Sequence, residues 1–558
     1  VLNVQVSNEY ERPEPVMFTS NEQINAGRAW ELNYTGENTI IAVLDTGTDP
    51  KHKDLVMDED AKLALNKDEV EKLIQTKGLP GKYYSDKVVY AYNYYDLNHV
   101  VQDTGTSQHG MHVAGTAVAN GKKEDGGIKG VAPRSQLASM KVFSNDMRYA
   151  TTFSDIYVKA IDDAVKLGAD VVNLSLGSPA GFRADNDIEQ KALANARENG
   201  IVVSISAGNE RNIVKGGAKF GAEKALEENT DTGLIGSPSV NLGATTVASF
   251  ENTHIMSAVA KTNHIPSGLE KGQSKALEQI LLVEANGAPK FSSLSDKEWE
   301  FVFVGTGKAE EFDKVDVKGK IAIAIRGNAF TDTIKNGNKA GAAGVLVYNN
   351  ETGGEGTVNM AGGDIAEIPF AFVKHSSGNS LKKAQELDPT VRLTFAAELE
   401  STPSDMGNHM SDFSSWGPTP DLRLKPEILA PGGEIYSTQN GNSYATMSGT
   451  SMAAPHVAGG IAVVRQYVEE KIKEGVFPEM TNEDLSNFIE LLLMNTARVV
   501  SEPGNPEHIY SPRQQGAGLM DLHAATNSVV TVHDAYHSRT SKGKGKLELG
   551  QVGNSSSV

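Results

Sequence analysis

The chain has 558 residues, 39 % hydrophobic and 22 % charged, which is ordinary globular usage and excludes wholesale disorder. Its 52 Lys and Arg against 71 Asp and Glu leave a net charge of −19, which argues against a non-specific nucleic-acid binder. There is no cysteine, so disulfides, cysteine-ligated metal centres and a thiol nucleophile are excluded.

The N-terminus, Val1-Leu2-Asn3-Val4, lacks an initiator methionine and a signal-peptide pattern, and the chain reads as a piece of something longer. Residues 1–18 are polar and hold Pro13 and Pro15, as a propeptide remnant or an N-terminal arm would. Apolar, β-branched runs then alternate with helical periods. Thr39–Leu44, Leu137–Phe143, Ala169–Leu176 and Gly200–Ser206 suit parallel strands buried on both faces. Phe153–Leu167 and Glu189–Asn199 carry helical spacing between them, the second stopped by Gly200. This alternation predicts an α/β fold, a doubly wound and mostly parallel sheet.

The character changes near Asn263. Residues 267–402 hold the runs Lys320–Arg326, Ala342–Tyr348 and Ile368–Val373 in Gly-rich surroundings, with a helical stretch at Thr333–Ala340. They read as a small α+β or β unit inserted into a larger one, formed by 19–266 and 403–525. Residues 526–558 contain one β-type run, Ser528–Val532, then a basic repeat at 542–546, and read as a linker or the start of a further β domain. No run approaches 18 apolar residues, so no membrane span is expected.

Three stretches place a reactive residue among small or apolar neighbours. Asp45 closes the first strand and precedes Thr46-Gly47, at the strand end where open parallel sheets bind ligands. A turn or cap aspartate is the structural alternative. His109 opens a segment, His109-Gly110-Met111-His112-Val113-Ala114-Gly115, whose small residues allow close helix packing. A metal pair of His109 with His112 is the alternative, although no third ligand has matching spacing, and His112 by itself reads as a packed structural histidine. Ser451 stands at the start of an almost wholly apolar helix, where free N–H groups and the helix dipole favour developing negative charge. Pro455 is expected within the first turn of that helix, and a serine N-cap is the alternative role for Ser451. Together they offer a nucleophile, a base and an orienting carboxylate in the order Asp, His, Ser, which is the order of subtilisin.

With Gly449-Thr450-Ser451-Met452-Ala453-Ala454-Pro455 and Ser206-Ala207-Gly208-Asn209, these motifs resemble those of the subtilisin-like serine proteases, the subtilases, over 19–264 and 403–525. The resemblance implies a secreted serine endopeptidase working through an acyl-enzyme, with Asn209 as side-chain donor to the oxyanion. It implies substrate binding along Leu174, Ser175, Leu176 and Gly177, along Ala207 and Gly208, and near Gly236 at the base of the first specificity pocket. Met111, where most of the family has threonine, joins Ser414-Ser415-Trp416-Gly417-Pro418 and Ser511–Gly518 in resembling the lactocepin and C5a-peptidase group of cell-envelope proteinases of Gram-positive bacteria. Within that group the insert is similar to a protease-associated (PA) domain. The resemblance further implies extended polypeptide or extracellular host-protein substrates, a monomer, a secreted or cell-envelope location and chemistry that needs no cofactor. Structural calcium is allowed, with no ligands identified. An α/β-hydrolase would need Gly-x-Ser-x-Gly, and a nucleotide binder a phosphate loop; neither occurs.

Overall fold

A computed structural model describes residues 18–532 except 106, 123–124, 147, 150, 180, 185–186, 212–232 and 359, together with Lys546. The expected N-terminal arm, apart from Phe18, and most of 533–558 lie outside the described residues. The chain divides into two compact units, Val1–His254 with Ser404–Val558, and Ile255–Pro403.

The first unit runs α1 (Phe18–Gln23), α2 (Ala26–Glu31), β1 (Ile40–Asp45), α3 (Lys67–Lys77), β2 (Val88–Asn93), α4 (His109–Val118), β3 (Gln136–Lys141), α5 (Ser154–Leu167), β4 (Val171–Leu174), α6 (Ile188–Glu198), β5 (Val202–Ser206) and β6 (Ala244–Glu251). The second unit holds β7 (His254–Thr262), α7 (Lys271–Glu278), β8 (Ile280–Glu284), β9 (Phe301–Phe303), α8 (Ala309–Phe312), β10 (Ile321–Ile325), α9 (Phe330–Ala340), β11 (Gly344–Tyr348), β12 (Phe370–Val373), α10 (His375–Leu387), β13 (Leu393–Phe395) and β14 (Glu400–Pro403). The first unit resumes with β15 (Ile428–Gly433), β16 (Ile435–Gln439), β17 (Ser443–Met447), α11 (Thr450–Lys473) and α12 (Asn482–Thr496).

In the first unit seven strands form one sheet in the order β15-β6-β5-β4-β1-β3-β2, and each neighbouring pair is parallel. Strand residues alternate between two faces, as the period of two requires. Ile41, Val43, Val171 and Val202 pack with Val113, Ala114 and Val457 of α4 and α11. Ile40, Ala42, Leu44, Leu174 and Ile205 pack with Ala160, Ile161 and Leu193 of α5 and α6. The chain leaves β1 toward β2 on one side and reaches β4 on the other, so the sheet reverses its winding at β1. Asp45 ends that strand, and such a reversal is where open parallel sheets form ligand crevices.

In the second unit β9, β10, β11 and β12 are parallel, and β8 and β7 continue the sheet antiparallel. The unit begins at Ile255, ahead of the expected residue 267. The reason is β7: it pairs with β8 and β13, so the change of character at Asn263 marks the end of a strand and not the border of a unit. Leaving strand β14 pairs with entering strand β7, which brings the two chain ends of the unit together. Ser528–Val532 is not a strand, contrary to expectation. Its valines 529, 530 and 532 are exposed, and the Val532 N–H donates to the Asn495 side chain instead of a neighbouring strand.

Candidate active site

A cleft of about 440 Å³ opens at the carboxyl end of β1, and Asp45, His109, Asn209 and Ser451 all line it. Asp45 is buried, and its Oδ1 accepts from the Thr46 N–H at 2.7 Å and faces His109 Nδ1 at 2.8 Å. Nδ1 therefore donates to the carboxylate, and Nε2 is left as the basic nitrogen. Helix α4 brings His109 this close because residue 110 is glycine: a Cβ there would lie 2.7 Å from the Gly47 carbonyl oxygen. The Gly110 N–H donates to Thr46 Oγ1 at 2.9 Å, which fixes the helix start to the strand end. Burial pushes the His109 imidazole down, but the charge and hydrogen bond of Asp45, with the charge of Asp103, hold it above the ordinary value of 6.5.

Behind this pair lies Lys141, wholly buried on β3 and in register with Asp45, its ammonium donating to the Thr46 carbonyl. Burial pushes its pKa down. His112 is a packing residue. Its Nε2 faces the Ile435 carbonyl at 2.9 Å and the Ala445 carbonyl at 3.2 Å, and burial drives its pKa down to about 3. With His109 Nδ1 on Asp45 and His112 Nε2 on backbone oxygens, the two do not form a metal pair. Among the described residues no three His, Cys, Asp or Glu stand together to hold a metal.

Ser451 sits in the first turn of α11. Its hydroxyl donates to the Ser175 carbonyl at 3.2 Å. Asn209 is clamped from α11: its Oδ1 accepts from the Thr450 N–H and the Thr450 hydroxyl, both at 2.9 Å. The Gly208 N–H donates to the same hydroxyl at 3.1 Å. With Oδ1 engaged twice, the Nδ2 group is the part of the amide left to act as donor.

Ser175, Leu176, Gly177, Gly208 and Gly236 line the cleft as expected. A Cβ at Gly236 would lie 2.8 Å from the Ser178 carbonyl oxygen, so only glycine fits there without a shift. Leu174 and Ala207 do not line it. Leu174 points to the opposite face of the sheet and is buried among the α5 and α6 contacts. Ala207 is buried with Ile235 and Val240, its N–H donates to the Val247 carbonyl, and its carbonyl accepts from the Gly236 N–H. Pro455 also departs from expectation, standing one turn inside α11. Sequence reading passed over Thr450 and Lys141. The lysine left a signal, a single charge inside the apolar run Leu137–Phe143; a threonine in a small-residue run leaves none.

The Subtilase family pattern matches residues 36–518. The chain belongs to the subtilase family. It is 38 % identical over 92 % of its length to the PII-type proteinase of Lactococcus lactis subsp. cremoris, of which it covers 27 %. It is 37 % identical to the PII-type proteinase of Lacticaseibacillus paracasei, again over 92 % of the chain and 27 % of the relative. It is 31 % identical over 89 % of its length to the C5a peptidase of Streptococcus pyogenes, covering 40 % of it. This subtilase thus spans roughly a quarter to two-fifths of the length of these relatives.

Proposed function

We propose that this subtilase is an extracellular or cell-envelope serine endopeptidase in which Asp45, His109 and Ser451 act as the triad. The observation that carries the reading is the hydrogen bond from His109 to the buried Asp45 carboxylate, in one cleft with a serine at the start of α11. Asp45 fixes the tautomer and stabilises the imidazolium. Nε2 takes the Ser451 proton as Oγ attacks the scissile carbonyl, and returns it to the leaving amine. The tetrahedral oxyanion receives the Asn209 Nδ2 group and the Ser451 N–H at the positive end of α11. Water then cleaves the acyl-enzyme by the same steps reversed. Extended polypeptide pairs as an added strand with Ser175–Gly177 on one side.

Residues 255–403 serve as a PA-type domain that governs access of large substrates, with no part in the chemical step. The enzyme works as a monomer, calcium has at most a structural role, and extracellular proteins are the substrates, in keeping with relatives named proteinase and C5a peptidase. The test is a set of triad variants assayed on one peptide. Members of a working triad give non-additive losses, so the triple variant should be about as slow as Ser451→Ala alone. Losses that multiply would contradict the triad.

A further inference from the structure

The helix that carries Ser451 contains its own defect. In an α-helix the carbonyl of residue 451 would accept from the N–H of residue 455, and residue 455 is proline, which has none. Pro455 lies too far along α11 for this to be a harmless terminal loss. The carbonyl left without its helical donor belongs to the nucleophile itself, and that stretch of the helix is buried.

The gap is filled from the residue that follows β4. The Ser175 hydroxyl donates to the Ser451 carbonyl at 2.8 Å. The Ser451 hydroxyl donates back to the Ser175 carbonyl at 3.2 Å, so the two serines clasp each other. Behind them, Asn173 Nδ2 donates to Ser175 Oγ at 3.0 Å, with both side chains buried. That donation occupies an acceptor site of Ser175 Oγ and leaves its single proton for Ser451. One turn on, Ser204 Oγ donates to the Ala454 carbonyl at 2.8 Å, a second hydroxyl tying the proline turn to the sheet.

We propose that the side chains of Ser175 and Asn173 are positioning residues for catalysis, holding the Ser451 backbone in the turn that Pro455 leaves short of a donor. The inference rests on Ser451 being the nucleophile. When the Ser451 proton goes to His109 it leaves the Ser175 carbonyl, whereas the bond from Ser175 Oγ to the Ser451 carbonyl does not depend on that proton and stays. The nucleophile thus redirects its proton on a fixed main chain. The same main chain supplies the Ser451 N–H of the oxyanion site, and small displacements there are costly.

The test is a kinetic cycle on the full chain with a short peptide substrate, each variant checked for folding by its melting temperature. Ser175→Ala should lower kcat roughly 10- to 100-fold and leave KM nearly unchanged. Pro455→Ala supplies the missing N–H, so adding Ser175→Ala in that background should cost only about twofold. Asn173→Ala acts in series, and the Asn173→Ala/Ser175→Ala double variant should be no slower than Ser175→Ala, which keeps the test open if Pro455→Ala does not fold. Full kcat in folded Ser175→Ala, or losses that multiply in both cycles, would overturn the proposal. Ser451→Ala separates the two ideas: if it retains turnover, the nucleophile is wrong, and if it is inactive while Ser175→Ala is normal, only the positioning role fails.

Discussion

Both compact units place parallel strands at their centre, yet they close different side chains away from water. Among the described residues the second unit buries Ser257, Thr333, Asn349, Ser377, Ser380 and Thr402, all uncharged. The first buries Asp45, Asp103, His112, Lys141 and His456, together with the pairs Arg197–Glu490 and Lys425–Glu427. An ionisable group is costly to bury unless it is paired, so a core that keeps many of them holds either ion pairs or chemistry. The two named pairs are of the first kind. His112 and His456 are neither, being neutral imidazoles on backbone oxygens, and Asp45, Asp103 and Lys141 gather at one end of β1 around His109, the group proposed above to do the chemistry. A sheet whose polar contents are hydroxyls and amides, as in the second unit, has no general base in its core.

Substitutions sharpen this contrast in descending order of effect. Ser451→Ala should lower kcat about 10⁶-fold, the size found for the serine of subtilisin. Asp45→Asn should lower it about 10⁴-fold. It also removes a group that raises His109. The imidazole must be neutral to accept a proton, so the acid limb of kcat/KM should lie above pH 6.5 in the parent chain and move down in the variant. Asn209→Ala should cost roughly 10²–10³ in kcat, with KM little changed. A rise in KM at constant kcat would make Asn209 a substrate-binding residue instead.

Stability should divide the units as well. His456 is buried, with Nδ1 on the Met452 carbonyl and Nε2 facing Ser20 Oγ, and burial lowers its pKa to about 4; His112 is lowered to about 3. Both stay neutral in the folded chain while the unfolded chain takes up their protons below about pH 6.5. Stability is therefore fully present above that pH and falls on acidification toward pH 4, by up to about 1.4 kcal/mol per pH unit for each histidine. Among the described residues the second unit fully buries no histidine, and only His254 at the start of β7, half-buried, is lowered by burial, so its acid loss should be smaller. Melting curves between pH 4 and 7 should show the first unit losing stability faster, and His456→Gln should flatten its slope. The smallest effect concerns chemistry in the insert. Phe372→Ala opens the core of the second unit at a cost of about 3–5 kcal/mol, yet hydrolysis of a short peptide should stay near the parent rate. Equal loss on peptides and proteins would mean that this unit builds part of the active site.

The elements legible in the sequence were those whose residues match their period. β1, β4 and β5 are continuous apolar runs, and α5 and α6 are amphipathic. β2, β6 and β15 were missed. β2 reads VVYAYN, a β-branched and aromatic run whose strand signal was present in the sequence. β6 is rich in Thr and Ser and β15 ends in Pro431-Gly432-Gly433, a sequence that signals a turn, so these two take their strand structure from neighbours in the sheet. At the site, Asp45, His109, Asn209 and Ser451 were legible because each stands in a motif, and the cleft brings them together. Leu174 was misplaced because a motif does not say which face of a strand a residue takes, and Ala207 because the backbone bonds that bury it against Val247 and Gly236 are long-range. The Ser175 hydroxyl bond to Ser451 joins residues 276 positions apart, and only folding makes it visible.

The most direct measurement is to treat the full chain with a fluorophosphonate, which forms a stable phosphonyl ester with an activated serine, and to locate the adduct by mass spectrometry across a pH series. The account predicts one adduct on Ser451, formed faster as pH rises through a single ionisation above 6.5 and abolished in His109→Ala. An adduct on another serine, or labelling of Ser451 that proceeds equally well without His109, would contradict it.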